Sequence, residues 1–170
     1  VSELSVLIGK HLGLSEEDLK TLQIGGLFHD IGKIGVPDTI LQKESKLTDD
    51  EYSEIKNHPS IGAHILSSAT IFFFFLPIVK HHHERYDGHG YPSQLAGENI
   101  PYLARITAVA DTFDAMTSKR SYRDALSLET VISEFERCKG TQFDPKIADV
   151  FLDMIRNHFD EIQEIQEKYK

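Results

Sequence analysis

Apolar positions recur at helical spacing along almost the whole chain, and nothing alternates with period two over a useful length, so the pattern predicts an all-α fold. Val1, Leu4, Leu7 and Ile8 mark one face of a first helix that leaves through His11-Leu12-Gly13-Leu14. No capping residue precedes that face, so the helix is expected to start upstream and the chain to be a fragment. Ser15, followed by Glu16, Glu17 and Asp18, reads as an N-cap with acid in the first turn, where the helix dipole favours negative charge. Leu19, Leu22, Gly26 and Leu27 carry this second helix into His29-Asp30. Gly25-Gly26 is read either as close approach of another helix or as freedom for a left-handed cap.

Beyond Pro37 a short helix is expected over 38–42, and Leu47-Thr48-Asp49-Asp50-Glu51 opens another that runs to about residue 57. His58-Pro59 marks a break, because Pro59 disfavours helical geometry before it and suits the first turn of the next helix. The run 71–79 is apolar on all sides and implies a buried segment, although four consecutive Phe cannot all face one core. Lys80-His81-His82-His83-Glu84-Arg85 leads into the glycine-punctuated loop Tyr86-Asp87-Gly88-His89-Gly90-Tyr91-Pro92. Ile100 and Pro101 open a helix rich in small residues, with Asp111 and Asp114 on neighbouring positions of one face. A polar turn over 117–124, carrying Lys119, Arg120 and Arg123, precedes helices over about 128–139 and 144–170.

The 170 residues suit one domain spanning 1–170, with 152–170 as a C-terminal helical extension. With 27 acidic and 18 basic residues the net charge is -9, which argues against binding a nucleic acid polymer or an anionic membrane through bulk electrostatics. A small phosphorylated ligand is compatible, since bound divalent ions and a few local cations reverse the sign inside one cleft. The single cysteine, Cys138, excludes an intrachain disulfide and a thiolate metal cage, and fits a reducing compartment. The longest apolar run is too short to span a bilayer and contains Pro77, so no membrane insertion is expected and the reading is cytoplasmic.

The chemistry concentrates first at His29-Asp30-Ile31-Gly32-Lys33. Adjacent residues on a straight helix diverge by about 100°, so His29 and Asp30 reach one cluster only where the helix ends or where two ions share them. Gly32 and Gly35 are expected to supply that ending. Taken alone, the stretch fits equally well a buried His-Asp pair capping a core helix. With His58, His82, His83 and Asp111 it becomes four imidazoles and two carboxylates without thiolate. That set fits Fe or Mn first, with Zn or Ni as alternatives. It exceeds the needs of one ion, and two or three are implied. In a two-metal site a carboxylate such as Asp30 bridges, and a shared water becomes hydroxide near neutral pH.

These segments resemble the HD-GYP domain, a subgroup of the HD phosphohydrolase superfamily. The resemblance rests on His29-Asp30-Ile31-Gly32-Lys33, His58-Pro59, His82-His83-Glu84, the loop 87–92 and Asp111-Thr112-Phe113-Asp114-Ala115 through Arg120-Ser121-Tyr122-Arg123. It implies a compact multi-helix bundle that hydrolyses cyclic di-GMP to pGpG and in some members to GMP. It also implies His29, Asp30, His58, His82, His83 and Asp111 as metal ligands. Asp30 would be the bridge and Lys33 would contact a phosphate or the bound water. Arg120 and Arg123 would hold ligand phosphate, and Tyr91 would shape the pocket. A GGDEF-domain partner and an upstream regulatory domain are further implications. His81 has no assigned place, and His89 falls at a variable position. In the family a Glu and a His on the first helix also ligate metal and would fall before Val1, which favours, as the alternative, a catalytically impaired sensor. The span from His58 to His82 is slightly short and contains the Phe run.

Overall fold

The computed structural model describes residues 1–119 and 124–169 and, over them, contains helices and no strand; Lys139 and Phe143 form an isolated bridge. In chain order the helices are α1 (Ser2–His11), α2 (Glu16–Phe28), α3 (Asp38–Leu41), α4 (Asp49–Ile55), α5 (His58–Leu66), α6 (Leu76–His81), α7 (Tyr102–Thr117), α8 (Leu128–Cys138), α9 (Pro145–Asn157) and α10 (Phe159–Glu167). Short 3-10 turns lie at Ile31–Gly35, Thr70–Phe72 and Gly97–Asn99.

The caps fall where the sequence places them. Ser15 accepts from the Asp18 backbone N–H, and Thr48 with Glu51 forms a reciprocal capping box that satisfies two otherwise orphaned donors. Helix α7 runs through the middle of the main core. Its Ile106, Val109, Ala110 and Phe113 meet α1, α8 and α9, with Phe113 and Phe135 each packed edge-on against Phe151. Gly25 and Gly26 serve close approach: a Cβ on Gly26 would lie 2.7 Å from the Ser2 Cα, and one on Gly25 would lie 2.5 Å from the Ile78 side chain. These contacts pin α2 against α1 and α6, so that the end of α2 points into a cleft beside α7.

Two expectations are corrected. The helix foreseen over 144–170 is two helices, because His158 leaves helical geometry at φ -137°, ψ 32° and α10 starts anew after it. The apolar run is not uniformly buried. Phe75 is buried and seeds a small second core with Leu66 and Val79, while Ile71, Phe73 and Phe74 face outward. The segment is a 3-10 turn and a further turn before α6, so successive rings point in different directions.

Candidate metal centre

Four chain segments deliver the site. Helix α2 ends at Phe28, making His29 its C-cap, and the backbone then tightens into the 3-10 turn that follows Asp30. This local ending lets neighbouring residues serve one cluster. Gly32 makes it fit, since a Cβ there would lie 1.8 Å from the His58 carbonyl oxygen and 2.5 Å from the Gly62 nitrogen. The turn therefore packs backbone to backbone on α5, whose first residue is His58. His82 caps α6, His83 follows it, and Asp111 projects from α7.

Three imidazoles are oriented in the same way. Nδ1 of His29 lies 2.7 Å from the Gly26 carbonyl, that of His58 lies 2.7 Å from Ile55, and that of His82 lies 2.9 Å from Val79. A carbonyl only accepts, so each Nδ1 donates its proton, leaving Nε2 as the nitrogen free to ligate. All three Nε2 atoms and Asp30 Oδ1 are buried without a hydrogen bond among the described residues. Buried polar atoms without partners are costly, and such atoms gathered around one carboxylate fit the coordination of a cation.

The two oxygens of Asp30 face different partners. Oδ2 lies 3.3 Å from His29 Nε2 and 2.6 Å from Lys33 Nζ, whereas Oδ1 lies 3.2 Å from His58 Nε2 and 4.0 Å from His82 Nε2. On the far side His29 Nε2 is 3.7 Å from Asp111 Oδ1. Ligand atoms of Asp30, His58, His82 and His83 all fall within 4.8 Å of one another. This donor set suits a divalent ion of borderline character, with Asp30 shared between that group and the His29–Asp111 side.

The electrostatics follow from this crowding. Burial works against a charged His29, but the Asp111 and Asp30 carboxylates beside it push it up to about 9. Burial keeps His83 down at about 4 and, with His83 and His29 nearby, holds His82 well below its ordinary value. Burial would raise both carboxyls; His29 and His58 instead hold Asp30 far below the usual range, and His29 brings Asp111 to about 2. The proton on His29 is thus what a cation must displace. Below a pH of about 9 metal uptake should release that proton, and affinity should climb by about tenfold per pH unit between 7 and 9. Calorimetry in buffers of different ionisation enthalpy reads this directly; a pH-independent affinity would remove the proton from His29.

The loop after His83 is built around Glu84, a residue whose role no sequence motif specifies. Its buried carboxylate accepts from the Ser93 and Leu95 backbone N–H groups at 2.7 and 3.1 Å. Gly90 admits no side chain, as a Cβ would lie 2.3 Å from the Arg85 nitrogen. Together they place the Tyr91 ring in a stack on His83, 4.9 Å between centroids. Glu84→Ala should cost about 1–3 kcal/mol by removing a buried carboxylate that accepts from two part-buried backbone donors and disorder this loop. The thermal midpoint, with amide exchange at Ser93 and Leu95, checks it.

Among the other expected site residues, Tyr91 lines the pocket and Lys33 lies against Asp30, whereas Arg120 and Arg123 lie outside the described residues. Asp114 and His89 are exposed, and His81 lies 3.4 Å from Glu84 rather than in the cluster.

The fold and site together define an all-α domain with a carboxylate-centred histidine cluster able to hold metal. A model of the HD domain matches residues 1–147, and the chain belongs to that family, with the motifs of its HD-GYP type. It is 43% identical over 154 residues to the cyclic di-GMP phosphodiesterase response regulator RpfG of Xanthomonas campestris pv. campestris, covering 89% of this chain and 41% of that protein. Identity is 42% to a cyclic di-GMP phosphodiesterase of Thermotoga maritima, over 89% of this chain and 42% of the relative. It is 38% to a 3′3′-cGAMP-specific phosphodiesterase 2 of Vibrio cholerae, over 88% and 28%. The chain thus spans less than half the length of these curated relatives. In architecture it is similar to a solved HDGYP protein, Bd1817 of Bdellovibrio bacteriovorus, with TM-score 0.74 and 20% identity over 92% of this chain and 50% of that one. No helix among the described residues is long and apolar enough to cross a membrane.

Proposed function

We propose that this domain is a metal-dependent phosphodiesterase that opens cyclic di-GMP to linear pGpG, the first of the two cleavages that some members of the family carry on to GMP. The observation that carries the reading is the convergence of three partnerless Nε2 atoms on a carboxylate whose two oxygens face opposite sides. His58, His82, His83 and Asp30 Oδ1 would hold one ion, and His29, Asp111 and Asp30 Oδ2 a second, with Fe or Mn suiting the donors best. Ions bound there supply Lewis acidity toward a phosphoryl oxygen and an activated water at neutral pH.

The chain's own groups do the remaining work. Lys33, half-buried and 2.6 Å from Asp30, is placed to offer its ammonium to a phosphate oxygen entering beside the carboxylate. Tyr91, stacked on His83, forms a wall of the cleft and orients what enters. Arg120 and Arg123 are proposed to clamp the phosphates through their guanidinium forks. Several relatives are named for cyclic di-GMP and others for 3′3′-cGAMP, so the guanine-bearing cyclic dinucleotides are the substrate class.

Incubating manganese- or iron-loaded protein with cyclic di-GMP and with 3′3′-cGAMP, then separating products by chromatography, tests the proposal. The expected result is pGpG from cyclic di-GMP, with the appearance of GMP deciding whether the second cleavage follows. Tight binding without any linear product would instead assign a sensor, the role that a GGDEF-domain partner would fit.

A further inference from the structure

A cavity of about 400 Å³ opens beside His83, between α4 and the loop that carries Tyr91. Its walls include Tyr52, Lys56, Arg85, His89 and Tyr91, and no carboxylate lines it. In a chain of net charge -9 this is a local reversal of sign. Arg85 is held by Asp87 in a two-point ion pair, at 3.1 and 2.7 Å, which fixes it as part of the wall. Lys56 makes no ion pair among the described residues, and its ammonium lies 5.0 Å over the Tyr52 ring.

Helix α4 has an unusual standing in the fold, because it contributes no buried residue to either core. Its first turn is closed by the capping box at Thr48, and the Lys43–Glu51 ion pair at 2.6 Å ties it to the segment before it. The aromatic ring it carries, Tyr52, is 49% exposed and faces the cavity. A helix with no residue in either core, carrying on its cavity side an exposed ring with a cation above it, offers that ring and cation to a ligand. The ligand that matches is a flat aromatic system joined to an anion. Ring stacking and a cation lying against a π-face favour a nucleobase, and the free ammonium favours its phosphate.

We infer that Tyr52 and Lys56 form a purine-nucleotide subsite, in which Tyr52 stacks on one base of the substrate and Lys56 pairs with a phosphate while His83 and Tyr91 close the opposite wall. This deepens the phosphodiesterase reading and rests on it for the identity of the whole substrate. Neither residue acts in the chemical step; both position the nucleotide half that extends from the metal centre.

The test is calorimetric titration of metal-loaded wild type, Tyr52→Ala, Tyr52→Phe and Lys56→Ala with cyclic di-GMP and with GMP, beside steady-state hydrolysis of cyclic di-GMP. Tyr52→Ala is expected to weaken both nucleotides about tenfold or more, the loss of one base–aromatic stack. The effect should appear in KM and little in kcat. Tyr52→Phe, which keeps the ring, should restore the wild-type value, and Lys56→Ala should weaken binding and flatten its salt dependence. Wild-type affinity for both nucleotides in Tyr52→Ala and Lys56→Ala would overturn the inference, as would a failure of wild type to bind GMP. If GMP binding depends on Tyr52 while cyclic di-GMP is not hydrolysed, the subsite stands and the phosphodiesterase proposal falls.

Discussion

Asp30→Ala is expected to leave a folded protein that no longer holds metal tightly and no longer hydrolyses a cyclic dinucleotide. Asp30 is the residue that both sides of the cluster share, with Oδ2 toward His29 and Oδ1 toward His58 and His82. Its removal leaves His58 and His82 without the carboxylate that faces them and leaves Asp111 as the carboxylate beside His29. It also frees His29 from one of the two anions that raise it. Losing a hydrogen bond that merely supports a ligand costs up to about a hundredfold in affinity or activity, and loss of a shared ligand should exceed that. Because Asp30 is half-buried and its uncompensated neighbours are imidazoles that can stay neutral, the helical circular dichroism should be unchanged. Retained metal content and turnover would show that the two halves do not depend on a common carboxylate.

Gly32→Ala should have a comparable effect through structure. A Cβ at this position would overlap the His58 carbonyl oxygen at 1.8 Å and crowd the Gly62 nitrogen, and neither is a side chain that can swing away. The 3-10 turn and α5 would have to separate, which moves His58 away from Asp30. Overpacking typically costs about 1–3 kcal/mol and more where backbone must shift. At the upper value the melting midpoint should fall by about 6–12 °C together with metal affinity. Gly35→Ala is the control, since its Cβ would meet only the Ile61 side chain, at 3.1 Å. Equal stability of the two variants would contradict the packing assigned to Gly32.

The gathering of residues around Asp30 was legible in part because three of its histidines coincide with visible helix ends, whereas Asp111 lies within α7. His29 and His82 are C-caps and His58 opens a helix at the residue before Pro59, so sequence signals for ends also located the chemistry. The carbonyls of Gly26, Ile55 and Val79 that orient these rings were hidden only in part: each lies three residues before its histidine, the spacing at which a helix-terminal imidazole meets its own backbone. Other features had no local signature. The break at His158 carries neither Gly nor Pro, and apolar spacing continues across it through Ile155, Phe159 and Ile162, so periodicity reads straight through. In the Phe run composition dominated the reading, while burial there is decided by turns that bury Phe75, pack Phe72 partly beside it and leave Phe73 and Phe74 outward. Tyr52 and Lys56 read as ordinary positions on a polar helix, because what distinguishes them is the loop facing them from about forty residues along the chain.

The most direct measurement of the central claim is the hydrolysis rate of cyclic di-GMP in protein stripped with a chelator, dialysed, and reloaded stepwise with manganese while bound metal is counted. Activity should vanish on stripping and return as the cluster around Asp30 fills, becoming complete as the second ion per chain binds. Undiminished hydrolysis by metal-free protein, or reloading that restores metal at Asp30 without restoring turnover, would contradict it.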